Sequence, residues 1–382
     1  MKITSISATP VTVPLVRPSA QSMGCGTTVT RTIVEIKTDS GLVGLGETGG
    51  ADLAHVIERK FAPLLLGLDP RERTTARNLC LAKFFDYATA RHGLELAAFA
   101  GVEIALWDLF AKSIGLPLYK ALGGAVRERA PFSSYAFTVD LAQGYTEADV
   151  PGVMAALAAR QVAEMGSSIF EFKVARYSVA CDIATVKEIR RAIGPSVKIA
   201  VDANMRYSID QAREFLRATA DDLSNIEEPV PDLTDCSRLR RDFGVPLSTH
   251  CVDFDVLRGQ PDIDNVVGAI DQQGGISRTF ELATAANAMG KRYWLRSCLE
   301  LGIAWAAMTH IGMAFKSLDR PAQGLIHWIG DDLIEGDVWS IRDDGVRAPD
   351  LPGLGVSLDR SAFEKAADYY RQDASNSLRR AA

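Results

Sequence analysis

The chain has no continuous apolar run of roughly 18 residues or more, so no segment is expected to cross a membrane as a helix. It also has little excess of either charge: 42 basic residues against 48 acidic ones leave a formal −6. The strongly basic face that goes with nucleic-acid binding is therefore not expected. The six cysteines, Cys25, Cys80, Cys181, Cys236, Cys251 and Cys298, include no CxxC pair. That pattern argues against a disulfide framework and against a thiolate metal site. There are no internal repeats beyond a strand–helix rhythm and no low-complexity segments. The N-terminus, MKITSISATPVTVPL, has one lysine and alternating polarity, which reads as a strand rather than a signal peptide. A cytoplasmic protein is expected.

What is present is an ordinary packed composition, 47% hydrophobic and 24% charged over 382 residues. That length allows two or three domains, or one α/β barrel of about 250 residues with an addition. Residues 2–13, 30–38 and 42–48 read as strands, and Asp39-Ser40-Gly41 joins the last two into a hairpin. Residues 94–114 place Phe99, Val102, Leu106 and Leu109 at helical spacing. From Pro131 the pattern alternates. Strands are expected near 132–137, 168–174, 197–202, 223–228, 246–250, 265–271, 292–298 and 324–328, with helices such as 150–165, 183–193 and 279–289 between them. Units averaging about 25 residues are the step of a closed TIM-like (β/α) barrel. The tail from Asp331 ends in a helix over 361–372, with 373–382 expected to fray. The expected organisation is α/β: an α+β capping domain, 1–126, completed by 350–382, on a barrel spanning 127–349.

Catalytic groups of such barrels stand at the C-terminal ends of strands. Here those ends carry Lys173, then Asp202 with Asn204 two residues on, then Glu227-Glu228, then His250. The spacings of 29, 25 and 23 residues are each one strand–helix step, so these side chains are expected to converge. Two carboxylates with a further oxygen or nitrogen ligand suit Mg²⁺, which makes Asp202, Glu227 and His250 the candidate metal ligands. Lys173 beside them would add positive charge and help stabilise an enediolate formed beside a carboxylate. Arg296, a cation in the apolar stretch YWLRSC, and Asp271 are expected near the barrel mouth, Arg296 as a catalytic residue with Lys173 and Asn204, and Asp271 as a substrate-binding one. The Gly44-Leu45-Gly46-Glu47-Thr48-Gly49 stretch matches a dinucleotide fingerprint but follows a hairpin strand, so it reads as a chance match. A nicotinamide oxidoreductase is accordingly the weakest functional reading. His55, His92, His310 and His327 are isolated, and His310 reads as a hydrogen-bonded core residue.

These residues carry a resemblance to the enolase superfamily from the N-terminus to about residue 370. GLVGLGET and VEIALWDLFAKSIGLPLYKALGG resemble that family's capping domain, VDAN and IEEP its metal-ligand strands, and PGLGVSLD its returning tail. RERAPFSSYAF, PLSTHCVDFD and LGIAWAAMTH resemble stretches of its glucarate dehydratase group. The resemblance implies a Mg²⁺-dependent hydro-lyase that removes the proton beside a carboxylate of an acid sugar and eliminates the β-hydroxyl. By position it implies Asp202 and Glu227 as metal ligands, Lys173 as the first lysine of a KxK motif, Asn204 beside the metal and Tyr135 near the substrate. It also implies a homo-oligomer, since the family commonly forms dimers or octamers.

Both usual bases of the group are replaced. The second lysine of KxK is Ala175, the sixth-strand aspartate falls at Ala269, and the seventh-strand histidine falls at Arg296. Lys173 is left as base or electrostatic partner, with Arg296 and Arg176 clamping a second carboxylate of the substrate. Residues 17–28 are expected to close over the substrate as a lid. The alternative is a barrel that has lost catalysis and serves in binding or assembly.

Overall fold

The computed structural model describes residues 1–81, 93–336 and 339–381; His92 lies outside them. Three strands, β1 (Ile3–Pro14), β2 (Thr28–Thr38) and β3 (Val43–Gly49), form an antiparallel sheet in sequence order. The helix Gly93–Ser113 packs on β3 at a separation that only glycine permits. A Cβ at Gly44 would stand 2.3 Å from the Ala105 carbonyl oxygen, and one at Gly46 would stand 1.9 Å from that of Gly101. The apparent dinucleotide fingerprint is thus a strand–helix packing surface.

Eight strands follow: β4 (Ala130–Ala136), β5 (Ile169–Lys173), β6 (Lys198–Asp202), β7 (Leu223–Glu227), β8 (Leu247–Thr249), β9 (Asn265–Gly268), β10 (Arg292–Leu295) and β11 (Ala322–Gly324). They pair in parallel in the order β10-β9-β8-β7-β6-β5-β4-β11. Contact between β10 and β11 brings the two ends of this order together, so the barrel is nearly closed. Helices such as Val150–Met165, Val179–Ile193 and Gly275–Ala288 connect the strands. Their starts are specified locally. The Ser178 hydroxyl accepts from the Cys181 N–H, and Ser208 with Gln211 makes a capping box.

Three expectations are corrected. The eighth strand is Ala322–Gly324, and Ile326–Trp328 is a 3₁₀ turn instead of the strand expected over 324–328. Trp328 donates its indole N–H to the Tyr135 carbonyl at 3.2 Å and meets Phe137 edge-on, so this apolar run packs as a turn over the barrel end. β8, β9 and β10 stop before His250, Asp271 and Arg296, which therefore stand on the loops beyond the strands. The last helix, Arg360–Ala381, continues past 372 where fraying was expected. It is tied to the first sheet by Arg360, which donates to both carboxylate oxygens of Glu35 at 2.8 and 2.6 Å. Among the described residues, no helix is long and apolar enough to cross a membrane.

Candidate active site

Strand alternation decides what faces the barrel interior. On β5, Phe170 and Phe172 point one way and Glu171 and Lys173 the other, all four buried. Register then sets neighbours side by side: Lys173 is paired with Asp202 across β5 and β6, and Asp202 with Glu227 across β6 and β7. The Lys173 ammonium donates to Asp202 Oδ2 at 2.5 Å. The same oxygen accepts from the Asn204 amide at 3.2 Å and from the Tyr135 hydroxyl at 3.5 Å, while Oδ1 accepts from the Asn204 N–H at 2.8 Å. Asn204 sits at φ 48°, a left-handed turn that asparagine tolerates better than most residues and that brings its backbone N–H onto Asp202.

His250 Nε2 lies 2.9 Å from Glu227 Oε1. Its backbone N–H donates to Glu228 Oε1 at 2.8 Å, and the Thr249 hydroxyl donates to the same oxygen at 2.9 Å. On the other side of the ring, Nδ1 faces the Val267 carbonyl at 3.4 Å. A carbonyl behind Nδ1 is how metal-bound histidines are commonly oriented, leaving Nε2 for the ion. One ligand atom from each of Asp202, Glu227 and His250 lies within 4.8 Å of the others.

These groups perturb one another. Burial works against the Asp202 charge, but Lys173 and His250 outweigh it and hold its carboxyl below the usual range. Burial, reinforced by the Asp202 charge, raises the Glu227 carboxyl. Burial disfavours a charged His250, yet Glu227 more than compensates and raises its pKa. Both members of the Glu227–His250 pair thus favour retaining a proton, the one that a divalent cation would displace. The Asn204 side-chain oxygen is buried beside Asp202 with no hydrogen-bond partner. An unpaired buried acceptor next to two carboxylates and an imidazole fits a divalent cation.

The other expected residues are placed differently. Arg296 donates to the Gln272 side-chain oxygen, and its Nε is buried and unpartnered. Arg176 directs its guanidinium at the 17–28 loop: NH1 donates to the Gln21 and Gly24 carbonyls at 2.6 and 3.1 Å. Asp271 is fully buried 2.8 Å from Arg31 NH1, in the seam between the sheet β1–β3 and the barrel. Tyr135 is buried beneath Lys173, whose Nζ lies 5.8 Å from its ring centroid. His310 is the core residue expected. Its Nδ1 accepts from the Tyr119 N–H and its Nε2 faces the Leu354 carbonyl, both at 3.1 Å, and burial lowers it to about 4.

Two interior residues escaped the sequence reading. Gln323 on β11 donates to Glu171 Oε1 at 2.7 Å and reaches Glu227 Oε2 at 3.5 Å. Burial, with the Glu227 charge, pushes the Glu171 carboxyl up to about 8. Period-two alternation from Lys173 was a sufficient signal for Glu171, but Gln323 had none once its strand was expected two residues later. A cleft of about 650 Å³ is lined by Arg31, Leu53, His250, Cys251, Gln272 and Cys298, so of the three candidate metal ligands His250 is the one on its surface. A larger groove of about 1170 Å³ lies along β1 and the last helix and holds none of the candidate residues.

A capped β/α barrel with acid and base groups gathered at the strand ends defines a class of barrels suited to metal-assisted carboxylate chemistry. Comparison with known proteins places the chain in a family of capped barrels. The family pattern described as "Enolase C-terminal domain-like" matches residues 153–362, and the "Mandelate racemase / muconate lactonizing enzyme, N-terminal domain" matches residues 3–123. The chain belongs to the enolase superfamily. It is 29% identical to a chloromuconate cycloisomerase of Cupriavidus necator, over 97% of this chain and 100% of that protein. It is 30% identical to an arabinonate dehydratase of Saccharolobus solfataricus, over 87% of this chain and 89% of that protein. Among solved structures, an enolase from Pseudomonas fluorescens with bound magnesium, potassium and tartrate superposes with a TM-score of 0.86 at 27% identity, covering 97% of this chain and 92% of that one.

Proposed function

We propose that this protein is a Mg²⁺-dependent hydro-lyase acting on acid sugars, with Asp202, Glu227 and His250 as the residues that would hold the ion. The observation that carries this reading is the convergence of those three ligand groups on one point, with the Lys173 amine bonded to the same Asp202 oxygen. The dehydratase among the relatives and the tartrate-bound neighbour support an acid-sugar substrate. When bound, the ion supplies positive charge to a substrate carboxylate, which stabilises the charge that develops as the neighbouring proton leaves. Lys173 Nζ is the base that takes this proton and must be neutral to do so. The β-hydroxyl then leaves as water, taking up the proton held on Lys173 Nζ, and the enol so formed tautomerises to a 2-keto-3-deoxy acid. Tyr135 and Asn204 position Asp202. Arg296 directs its unpaired Nε–H at a second substrate carboxylate, and Arg176 acts on the substrate through the loop it holds. In this reading residues 1–126 and 350–382 form the cap over the 127–349 barrel, and the chain works as a homo-oligomer.

The test is incubation with aldonic and aldaric acids in deuterated water containing Mg²⁺. Deuterium beside the carboxylate or a 2-keto-3-deoxy product is expected, and Lys173→Met should abolish both. Absence of exchange and product with the whole panel would leave the second reading, a binding barrel without catalysis. One observation favours that second reading. Where the resemblance puts the usual bases stand Ala175, whose N–H is committed to Asp182 at 2.9 Å, and Arg296, with the buried Ala269 at the aspartate of the dyad.

A further inference from the structure

We infer a second ligand site at the opposite end of the barrel, where Arg320 holds a phosphate group. The strands begin around a pit of about 500 Å³ whose wall includes Lys198, Asp264, Asn265, Lys291, Arg292 and Arg320. Lys198, Asn265 and Arg292 are the first residues of β6, β9 and β10, so the pit is at the strand starts, away from Asp202 and Glu227 at the strand ends.

Four cations face one carboxylate there, and that carboxylate is already neutralised. Asp264 accepts from Arg240 Nε at 2.7 Å and NH2 at 3.1 Å, and from the Leu247 N–H at 2.9 Å. Arg292 is engaged with Asp319, and Lys291 donates to the Gln260 and Ile263 carbonyls. Lys198 is exposed at the rim.

Arg320 is the group without an explanation. It is 7% exposed, yet among the described residues its guanidinium pairs with no carboxylate; its one specific contact is the Trp294 ring, 3.8 Å from the centroid. Glu171, Glu227 and Asp319, the carboxylates whose fields reach it, are bonded elsewhere, to Gln323, His250 and Arg292. The Trp294 indole N–H is also buried without a partner. No Arg320 nitrogen is among the buried unpartnered atoms, so the N–H edge of this largely buried cation opens on the pit, with no carboxylate bonded to it. Stacking on the indole uses the face of the guanidinium and leaves its N–H edge for a bidentate oxyanion. A phosphate group, with its several acceptor oxygens and double charge, matches Arg320 together with the cations around it.

The experiment is calorimetric titration of the full chain with inorganic phosphate, without divalent metal and at constant ionic strength. Saturable one-site binding is expected. Loss of a charge-assisted pair should make Arg320→Met bind about tenfold more weakly or worse. Lys198→Glu, an exposed change that leaves the core intact, should weaken binding severalfold and serves if the Arg320 variant does not fold. Lys173→Met at the other end should bind phosphate as the unaltered protein does. Absence of saturable binding overturns the inference. So does unchanged affinity in Lys198→Glu with a folded Arg320→Met, or loss of binding in Lys173→Met, which would assign the anion to the active-site end. None of these outcomes depends on the reaction proposed above.

Discussion

Two acidic clusters lie close together in this molecule and look alike as lists of residues. Asp202, Glu227 and His250 form one; Asp271, Cys298 and Glu300 form the other, and each set brings its ligand atoms within 4.8 Å. Their partners separate them. In the seam cluster, Arg31 from β2 is buried between Glu47 and Asp271, at 2.8 Å from each. Glu47 also accepts the Leu301 and Ala304 N–H groups, and Glu300 accepts the Cys298 N–H and the Ser297 hydroxyl. In the other cluster, among the described residues, no arginine is bonded to a carboxylate: Asp202 meets Lys173 and both the amide and the N–H of Asn204, and Glu227 meets His250. The Asn204 oxygen is buried without a partner, as are Arg31 NH2 and Asp271 Oδ1 in the seam. A buried carboxylate closed off by a fixed arginine and backbone donors is structural. One left with exchangeable partners is available to an ion. Composition does not make the distinction; the identity of each oxygen's partner does.

The comparison can be broken most forcefully at Arg31. Arg31→Met would leave Glu47 and Asp271 buried without their cation, and about 3–5 kcal/mol of stability should be lost. Urea unfolding measures this, and a loss no larger than that of an exposed ion pair would contradict the structural role. Asp202→Asn should act in the opposite manner. Mg²⁺ at a hundredfold excess over its dissociation constant should stabilise the unaltered protein by about 2.7 kcal/mol. In the variant that increment should vanish from the thermal melt, whereas in any folded Arg31 variant it should persist.

Glu171 sharpens the contrast through pH. Its carboxyl rises from 4.5 to about 8 through burial and the charge of Glu227. The folded state therefore binds this proton more tightly than the unfolded chain does, and stability falls as pH rises between about 4.5 and about 8. Glu171→Gln removes that fall, so its urea midpoint relative to the unaltered protein should be higher at pH 9 than at pH 6. An unchanged difference would mean that Glu171 is already ionised at low pH. The smallest effect is expected at Arg176, a partly exposed contact with the 17–28 loop. Arg176→Ala should cost less than about 1 kcal/mol of stability. It should raise KM severalfold in steady-state kinetics once a substrate is in hand, with kcat changed less.

Much of this was legible in the chain itself. The period of apolar residues marked the first seven barrel strands, and the strand–helix step alone implied that Lys173, Asp202, Glu227 and His250 converge. Those features are local or follow from a repeated step. The misplaced eighth strand shows where local signals mislead. LIHW is as apolar as a strand, but Trp328 finds its hydrogen bond and its aromatic partner in a turn. Arg176 and Asp271 could not be assigned from their neighbours in sequence, because the groups that engage them, Gln21, Gly24 and Arg31, lie in the distant N-terminal segment.

The sequence by itself determined the barrel, the cap and the ordered set of candidate ligand residues, because hydrophobic periodicity and strand spacing are properties of short segments. Only the tertiary structure decided which charges are free. Whether a buried carboxylate or guanidinium is closed off or open to a ligand depends on donors brought to it by packing from elsewhere in the fold. Arg31 engaged with Asp271 and Arg320 resting on Trp294 without a counter-ion are the two cases that no local pattern distinguishes.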